Sequence, residues 1–364
     1  MGEDLCLIVM DNCKELGEKV NSEIQRIRNT NTNYILPIEL VRFQDGEGKA
    51  VLLDSVRGKD VYILSDTHNY SITYPMYNFE HHMSPDEHFQ DIKRVISAIM
   101  KHAKSVKVIM PLWYGSRQHR SKDLRESLDV SMGIRDLERM GVSGMVTFDM
   151  HDINSAANAA DVPFDNFYAT NDMLRLYLQN EELSIQDTYV ISPDSGALER
   201  ARFLANILGV KFGTFEKSRA KHVMNGQNPI EDHTYLGDSV EGKTILVADD
   251  MLSSGESMLD VAHTLKDQGA NKINFFTTFA LFTKGHEKFE RAYEDGYFNG
   301  LYSTNLTYVP EIILQQPWFY PADCSTYLAK IIDHLNLGHS ISALRQDNSA
   351  MQLARVKPQI EKLP

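Results

Sequence analysis

Short apolar runs alternate with amphipathic segments along much of the chain. Runs at residues 6–10, 61–64 and 106–110 are rich in β-branched or aliphatic residues and bounded by polar positions, which predicts buried strands. After Ser84 comes a helical pattern, with serine at the N-cap, proline at the first helical position and Glu87 at the third. Repeated strand–helix units of this kind predict an α/β fold with mainly parallel sheets flanked by helices.

One such unit, at residues 244–257, also carries candidate chemistry. An apolar run at residues 245–248 predicts a strand, and Asp249 and Asp250 follow it directly. The small-residue loop Ser253-Ser254-Gly255 then leads into a predicted helix. Backbone N–H groups at a helix start suit a phosphate, and the two carboxylates can accept hydrogen bonds from ribose hydroxyls. The pattern therefore indicates a sugar-phosphate site, although acidic pairs and Ser-Ser-Gly turns also occur as ordinary loop structure.

A P-loop formula occurs just before this stretch. Residues 237–244 satisfy G-x-x-x-x-G-K-[ST]. A working P-loop follows a strand and opens a helix, whereas this segment precedes a predicted strand and contains Asp238 and Glu241. We therefore interpret the match as a coincidence of spacing.

Composition limits the classes of partner. The 364 residues carry a formal net charge of −13 and a pI of about 5.5, which argues against bulk nucleic-acid or anionic-membrane binding. The three cysteines have no metal-ligand spacing and cannot form a disulfide framework. No apolar run reaches transmembrane length and no signal peptide is evident. We therefore expect a cytoplasmic protein with no membrane or nucleic-acid partner.

Further segments carry polar residues beside predicted strands. They are Arg-Phe-Gln-Asp-Gly-Glu-Gly at 42–48, Asp-Ser-Val-Arg-Gly-Lys-Asp at 54–60, Tyr-Gly-Ser-Arg-Gln-His-Arg at 114–120, Asp-Met-His-Asp at 149–152, Pro-Asp-Ser-Gly at 193–196 and Glu-Lys-Ser-Arg at 216–219. With residues 244–257 they closely resemble, in order, the motifs of ribose-phosphate diphosphokinases, the synthetases of 5-phosphoribosyl 1-diphosphate (PRPP). The resemblance covers about residues 5–345. It implies two phosphoribosyltransferase-like domains, 1–160 (with about 322–345 packing back) and 161–321, and then a tail at 346–364.

The resemblance also implies a reaction and residue roles. In this family the diphosphoryl group of ATP passes to the C1 hydroxyl of ribose 5-phosphate, giving PRPP and AMP, with Mg²⁺ as cofactor. The expected enzyme is a homo-oligomer, dimeric or hexameric, with ATP bound at a subunit interface. The implied site residues are Phe43, Asp45, Glu47, Arg117 and Gln118 for ATP; His151 and Asp194 for metal; Lys217 and Arg219 for catalysis; and Asp249, Asp250, Ser253, Ser254, Gly255 and Ser257 for ribose 5-phosphate.

Several positions depart from the family pattern. His119 and Ser253 stand where the family usually has aspartate, Ser218 replaces an arginine, and Glu256 places a carboxylate beside the expected phosphate site. Residues 69–83 are longer and more aromatic than usual, which predicts a surface loop or a subunit contact. A non-catalytic regulatory subunit, a salvage phosphoribosyltransferase and a nucleotide-sensing module are the alternatives to the synthetase.

Overall fold

The computed structural model describes residues 4–121, 125–219 and 230–345, with side chains at all of these positions except 217–219 and 230–233. These residues form two compact units. The first unit comprises residues up to 169 together with 305–308 and 323–345, and the second comprises 170–304 and 309–322. None of the helices in the described part of the chain combines the length and apolar character that a membrane-spanning helix needs.

Strands and helices alternate along both units. In chain order the first unit contains β1 (Leu5–Val9), a short 3-10 helix (Asp11–Cys13), α1 (Lys14–Arg28), β2 (Ile38–Arg42), β3 (Gly48–Leu52), β4 (Asp60–Leu64), β5 (Thr73–Met76), β6 (Phe79–His82), α2 (Pro85–Ile99), β7 (Ser105–Ile109), α3 (Asp129–Arg139), β8 (Gly144–Phe148), α4 (Ile153–Ala159) and β9 (Phe164–Phe167). The second unit contains α5 (Thr170–Asn180), β10 (Thr188–Ser192), α6 (Leu198–Leu208), β11 (Lys211–Arg219), β12 (Ile230–Leu236), β13 (Thr244–Leu252), α7 (Glu256–Asp267), β14 (Lys272–Ala280), α8 (Glu287–Glu294), β15 (Gly300–Thr304), α9 (Glu311–Leu314) and β16 (Phe319–Ala322). The chain ends in the first unit with α10 (Ser325–Leu337) and α11 (Ser342–Arg345).

The first unit is built on a parallel sheet. Among its described residues the sheet has five strands in the order β1-β4-β7-β8-β9. Strands β4 and β8 are buried at every position, as expected for central strands covered by helices on both faces. Ile63 and Val108 of the sheet belong to one core with Ile92 and Ile96 of α2 and Ile134 of α3. Helix α2 begins at the predicted place, because Ser84 and Glu87 form a reciprocal capping box.

The C-terminal helix α10 packs on α1 within the first unit. Arg28 donates hydrogen bonds from Nε to Asp333 Oδ1 at 2.6 Å and from Nη2 to Asn336 Oδ1 at 2.8 Å. Thr326 Oγ1 donates to Glu23 Oε2 at 2.9 Å. These contacts join segments about 300 residues apart in sequence, so the first unit includes both the start and the end of the described chain.

The second unit is built on a larger sheet. Its described residues form seven strands in the order β12-β11-β10-β13-β14-β15-β16, parallel except for the β11–β12 pair. Ile245 and Val247 of β13 pack in one core with Phe275 of β14 and with Val261 and Leu265 of α7. Both units therefore confirm the predicted α/β class with mainly parallel sheets.

Residues 69–83, predicted to be a surface loop or a subunit contact, contain a hairpin whose Tyr77 and Phe79 are exposed. Strands β5 and β6 pair antiparallel, and Tyr77 and Asn78 supply the turn with φ values of 46° and 66°. The Tyr77 N–H donates to the carbonyl of Gln44 at 2.9 Å, which ties this hairpin to the turn of the β2–β3 hairpin. The aromatic content of the segment follows from this pairing, since aromatic residues favour strands.

Strand β13 extends further than its apolar run. The predicted strand ends at residue 248, but the ladder with β14 continues through Asp249 and ends at Leu252, which pairs with Ala280. Residues 237–244, which match the P-loop formula, lie between β12 and β13. They open no helix, so the order of elements agrees with the rejection of a P-loop there.

Candidate active site

The acidic pair, Asp249 and Asp250, lies near the carboxyl end of the central strand β13 of the second unit. Ligands of parallel α/β sheets bind beyond this edge of the strands. Asp250 is 2% exposed and donates its backbone N–H to Asp249 Oδ1 at 2.9 Å. Asp249 is partly exposed. The strand therefore presents one fully buried and one partly buried carboxylate side by side.

A third carboxylate, Asp194, contributes to the electrostatics of this pair. Burial raises the pKa of Asp249 well above its usual value, and the neighbouring charges of Asp250 and Asp194 raise it further. Asp194 Oδ1 accepts hydrogen bonds from the N–H groups of Gly196 and Ala197 at 2.9 and 3.2 Å. We call Asp194, Asp249 and Asp250 the acidic cluster. Its crowded negative charge suits ligands that donate hydrogen bonds, such as ribose hydroxyls, or that carry a cation.

Arg200 is the cation beside the acidic cluster, and sequence reasoning missed it. Its Nη2 lies 3.5 Å from Asp250 Oδ2, and only 13% of the Arg200 side chain is exposed. Its charge opposes the rise in the pKa of Asp249. Arg200 occupies the first turn of α6, where the helix dipole disfavours a cation. That unfavourable placement is the sequence signal that could have identified it.

The turn from β13 into α7 follows the predicted pattern. Gly255 is the N-cap residue of α7 and has a φ of 74°. A Cβ at this position would lie 2.2 Å from Cζ of the buried Phe289, so only glycine fits. The Ser253 carbonyl accepts the N–H of Thr283 at 2.9 Å, while Ser254 and Ser257 are partly exposed. Gly255, as N-cap residue, has no side chain with which to cap the first-turn amides, and amides at a helix start suit an anion.

The negative charge of Glu256, which lies beside the predicted phosphate site, is paired with two lysines. Its carboxylate accepts hydrogen bonds from Lys288 Nζ at 2.8 Å and from Lys284 Nζ at 3.3 Å. Both hydrogen bonds lower the pKa of Glu256, and the bond from Lys288 has the larger effect. Two lysines thus offset the negative charge at the start of α7. The Glu256 carboxylate is therefore less unfavourable for a phosphate at the start of α7 than the sequence alone suggested.

The predicted catalytic residues lie at the end of β11. Lys217 pairs with His233 and Arg219 with Ile230 across the antiparallel β11–β12 ladder, which has a register shift between Ser218 and Arg219. The side chains of Lys217 and Arg219 lie outside the described part of the structure. Of the predicted lid at residues 221–234, residues 221–229 also lie outside it. The structure therefore describes the strand that carries Lys217 and Arg219, but not the positions of their charged groups.

The first predicted ATP segment is an exposed turn in the first unit. Residues 43–47 connect β2 to β3, with the Phe43 N–H donating to the Glu47 carbonyl at 2.8 Å. Asp45 Oδ1 accepts the Glu47 N–H at 3.1 Å and thereby braces the turn. The side chains of Asp45 and Glu47 are exposed, and Phe43 is 47% exposed. A large apolar side chain at the tip of a braced turn is well placed to contact another molecule.

The second predicted ATP segment follows β7. The Gln118 N–H donates to the Gly115 carbonyl at 2.7 Å, and Arg117 and Gln118 are exposed. Burial first, and then the charges of Arg117 and His88, lower the pKa of the nearby His68 to about 4. The loop therefore presents a guanidinium and an amide to solvent, both of which can bind a nucleotide.

His151 lies at the start of α4. It follows Asp149, which has a φ of 39°, and precedes Asp152, the N-cap residue of α4. The ring of His119, from the loop after β7, lies 5.1 Å from the His151 ring between centroids. Burial lowers the pKa of His119, and the neighbouring His151 lowers it further. Two imidazoles thus meet in the first unit, where sequence reasoning named only His151.

The two predicted metal ligands lie in different units of the structure. His151 belongs to the first unit and Asp194 to the second. Among the described residues, no group of three or more histidine, cysteine, aspartate or glutamate side chains is arranged as the ligands of one ion. His119 Nδ1 is buried and makes no hydrogen bond to the described residues. An imidazole pair with an unpartnered nitrogen fits a divalent cation whose remaining ligands come from a substrate.

Comparison with known proteins gives one consistent assignment. Residues 5–141 match the N-terminal domain of ribose phosphate pyrophosphokinase, and residues 170–303 match the phosphoribosyl transferase domain. The chain is 30% identical over 273 residues to ribose-phosphate pyrophosphokinase 1 of Streptococcus pneumoniae, covering 74% of this chain and 76% of that protein. It is 25% identical over 299 residues to the ribose-phosphate pyrophosphokinase of Ureaplasma parvum, covering 82% of each.

A solved structure supports the fold. Phosphoribosylpyrophosphate synthetase from Mycobacterium smegmatis superposes with a TM-score of 0.76 at 21% identity, covering 92% of this chain and 100% of that one. The sequence matches span both halves of the chain, including residues 5–141, which carry the predicted ATP segments. The chain therefore belongs to the ribose-phosphate pyrophosphokinase family.

Proposed function

We propose that the protein is an enzyme that transfers the diphosphoryl group of ATP to the C1 hydroxyl of ribose 5-phosphate, giving PRPP and AMP. The observation that carries the proposal is the acidic pair beside the uncapped start of α7, in a chain whose first 141 residues match a pyrophosphokinase domain. We further propose two domains with the boundaries that the sequence predicted, 1–160 (with about 322–345) and 161–321. The compact units differ from these in the first boundary, which lies after residue 169, and in residues 305–308, which belong to the first unit.

The second unit would bind the acceptor sugar. Asp249 and Asp250 accept hydrogen bonds from the vicinal ribose hydroxyls, while the first-turn amides of α7 and the hydroxyls of Ser253, Ser254 and Ser257 hold the 5-phosphate. Arg200 lies 3.5 Å from the Asp250 carboxylate, offsets its negative charge and helps to hold it in place. The sugar is then oriented without any covalent bond to the protein.

Lys217 and Arg219 would act on the transferring group. Diphosphoryl transfer depends on positioning and on neutralising the charge that the phosphate oxygens carry, not on a protein nucleophile. Two cationic residues on one strand end suit that task. The replacement of a family arginine by Ser218 removes one charge between them and leaves both in the sequence.

Mg²⁺ is the proposed cofactor, with His151 and Asp194 as candidate ligands. When bound, it would offset the negative charge of the ATP phosphates. Asp194 has Oδ1 engaged by two backbone N–H groups, which orients the carboxylate. Ligands held in this way are expected to bind without large rearrangement.

We also propose that ATP binds between copies of the chain, in a dimer or a hexamer built from dimers. The exposed turn with Phe43, Asp45 and Glu47 would reach the ATP that Arg117 and Gln118 of a second copy hold. A cytoplasmic setting is proposed as well, since Cys6, Cys13 and Cys324 are free, buried thiols.

One assay separates this function from its alternatives. The purified protein is incubated with ATP, ribose 5-phosphate and Mg²⁺, and AMP and PRPP are measured by chromatography. Formation of both in equal amounts supports the synthetase. Nucleotide binding without AMP would identify a regulatory subunit or sensor, and consumption of PRPP with a nucleobase would identify a salvage transferase.

Lys217→Ala tests the catalytic residue. The variant is expected to fold normally and to lose about 10²-fold or more in kcat, as removal of a transition-state charge contact does. Lys211→Ala is the matched control, because Lys211 lies on the same strand in an exposed pair with Asp238 and should retain its rate. A near-normal rate for Lys217→Ala would exclude Lys217 from the mechanism.

A further inference from the structure

The separation of the two imidazoles in the first unit matches a shared metal ion. The ring centroids of His119 and His151 are 5.1 Å apart, and the ring planes differ by 57°. With metal–nitrogen bonds of about 2.1 Å, two imidazoles on one ion have centroids roughly 4.5 to 5.3 Å apart. The observed separation falls within that range.

His119 has the environment of a ligand. Its side chain is 9% exposed, its Nδ1 is buried without a hydrogen bond of regular geometry to the described residues, and its Nε2 lies 3.7 Å from Asp152 Oδ2. The Ser116 carbonyl is the backbone group that interacts with the ring. Metal-bound histidines commonly have a carboxylate near the nitrogen that does not bind the metal, which orients the ring. Asp152 is itself held by Ser155, whose N–H and Oγ both donate to it at 3.1 Å.

A histidine with a purely structural role looks different in this protein. His88 is buried in the same unit, and both of its ring nitrogens are paired, Nδ1 with the Asn12 amide at 3.0 Å and Nε2 with the Asn69 carbonyl at 2.9 Å. A buried polar atom without a partner costs about 1–3 kcal/mol. His119 bears that cost at Nδ1 beside a second imidazole, which points to a ligand rather than a packing role.

We propose that His119 binds the metal together with His151, and that this donor pair shifts the site toward borderline transition ions such as Ni²⁺, Co²⁺ or Zn²⁺ and away from Mg²⁺. Imidazole nitrogen favours those ions, whereas Mg²⁺ prefers oxygen ligands. The aspartate that the family has in place of His119 would supply such an oxygen. The inference rests on the proposed function, because ATP phosphates would complete the coordination.

The test measures metal binding apart from turnover. Ni²⁺ and Mg²⁺ are titrated separately into the full chain by calorimetry, with and without a non-hydrolysable ATP analogue, and Co²⁺ binding is followed by visible absorption. His119→Asn is expected to weaken Ni²⁺ binding at least tenfold and Mg²⁺ binding less than threefold, and to alter the Co²⁺ bands. His119→Asp should lower the ratio of Ni²⁺ to Mg²⁺ affinity tenfold as well. His102→Asn, at an exposed histidine of the same unit, should change neither ion.

Each outcome decides the proposal separately from the function. Equal Ni²⁺ affinity in wild type, His119→Asn and His119→Asp, with unchanged Co²⁺ bands, would overturn it even if the wild type forms AMP. Loss of Ni²⁺ affinity in both variants would support it even if the wild type forms no AMP. Melting curves without metal identify any variant that does not fold, and the other variant then decides.

Discussion

Replacing Arg200 by methionine tests the electrostatics of the acidic cluster. The change removes the cation 3.5 Å from Asp250 and keeps most of the side-chain volume. Asp250 is 3% exposed in its side chain and lies beside Asp249, so water replaces little of the lost interaction. We expect the second unit to be destabilised and the affinity for ribose 5-phosphate to fall.

The magnitude follows from the burial of the ion pair. Removing one partner of a buried pair costs about 3–5 kcal/mol, because the other charge remains unpaired. Partial proton uptake by the acidic cluster relieves some of this cost. We therefore expect Arg200→Met to lower the free energy of unfolding by about 3 kcal/mol at neutral to alkaline pH. For a unit of this size that corresponds to a fall of roughly 6–12 °C in Tm.

The destabilisation caused by Arg200→Met should increase as the pH rises. The pKa of Asp249 is already raised in the folded protein, by burial first and then by its carboxylate neighbours. A raised carboxyl pKa means that the folded state holds a proton which the unfolded chain has released, so stability falls as pH rises through the folded pKa. Loss of Arg200 raises this pKa further. The destabilisation should therefore be largest at alkaline pH and should shrink as the pH falls.

The assay is thermal and urea unfolding of the wild type and of Arg200→Met, from acidic to alkaline pH. Binding of ribose 5-phosphate to both proteins is measured by calorimetry. Arg202→Met is the control, since Arg202 lies on the same helix in an exposed pair with Glu199 and should cost less than about 1 kcal/mol. Arg200→Lys should restore part of the stability and affinity. The reasoning would be refuted by a cost for Arg200→Met that equals the control, or by a cost that grows at acidic pH.

Three further substitutions test the structure elsewhere. Gly255→Ala should lower the free energy of unfolding by about 3 kcal/mol in urea titrations, because the new Cβ meets Phe289 at a positive φ; a change below 1 kcal/mol would contradict this. Burial raises the pKa of Glu87, but hydrogen bonds from Ser84, Tyr74 and His81 lower it to about 2. Stability from Glu87 is thus present above its unfolded pKa of 4.5 and is lost toward pH 2, so Glu87→Gln should cost about 2 kcal/mol at pH 7 and little in acid; a pH-independent cost would contradict this. Asn274→Leu should raise stability by about 1 kcal/mol, since both amide atoms of this fully buried side chain lack partners among the described residues; destabilisation would show that the amide is needed.

Local patterns in the sequence were sufficient for the fold class and for many of the elements. Strand and helix periodicities, and the capping box at Ser84, depend on neighbouring residues, so they can be read without tertiary contacts. The order of motifs indicated the family, and comparison with known proteins confirms it. The hairpin at residues 69–83 was not foreseen, because its strands are stabilised by pairing with each other and by a turn with positive φ.

The sequence by itself determined which residue types stand at the strand ends and helix starts, and it therefore predicted a sugar-phosphate site. Only the tertiary structure decided which charges face each other. It placed Arg200 against Asp250, Lys288 against Glu256 and His119 beside His151, pairs that are 50, 32 and 32 residues apart in the chain. Charge interactions and hydrogen bonds act over a few ångströms of space, and neighbourhood in space arises from packing, which no local pattern of residues specifies.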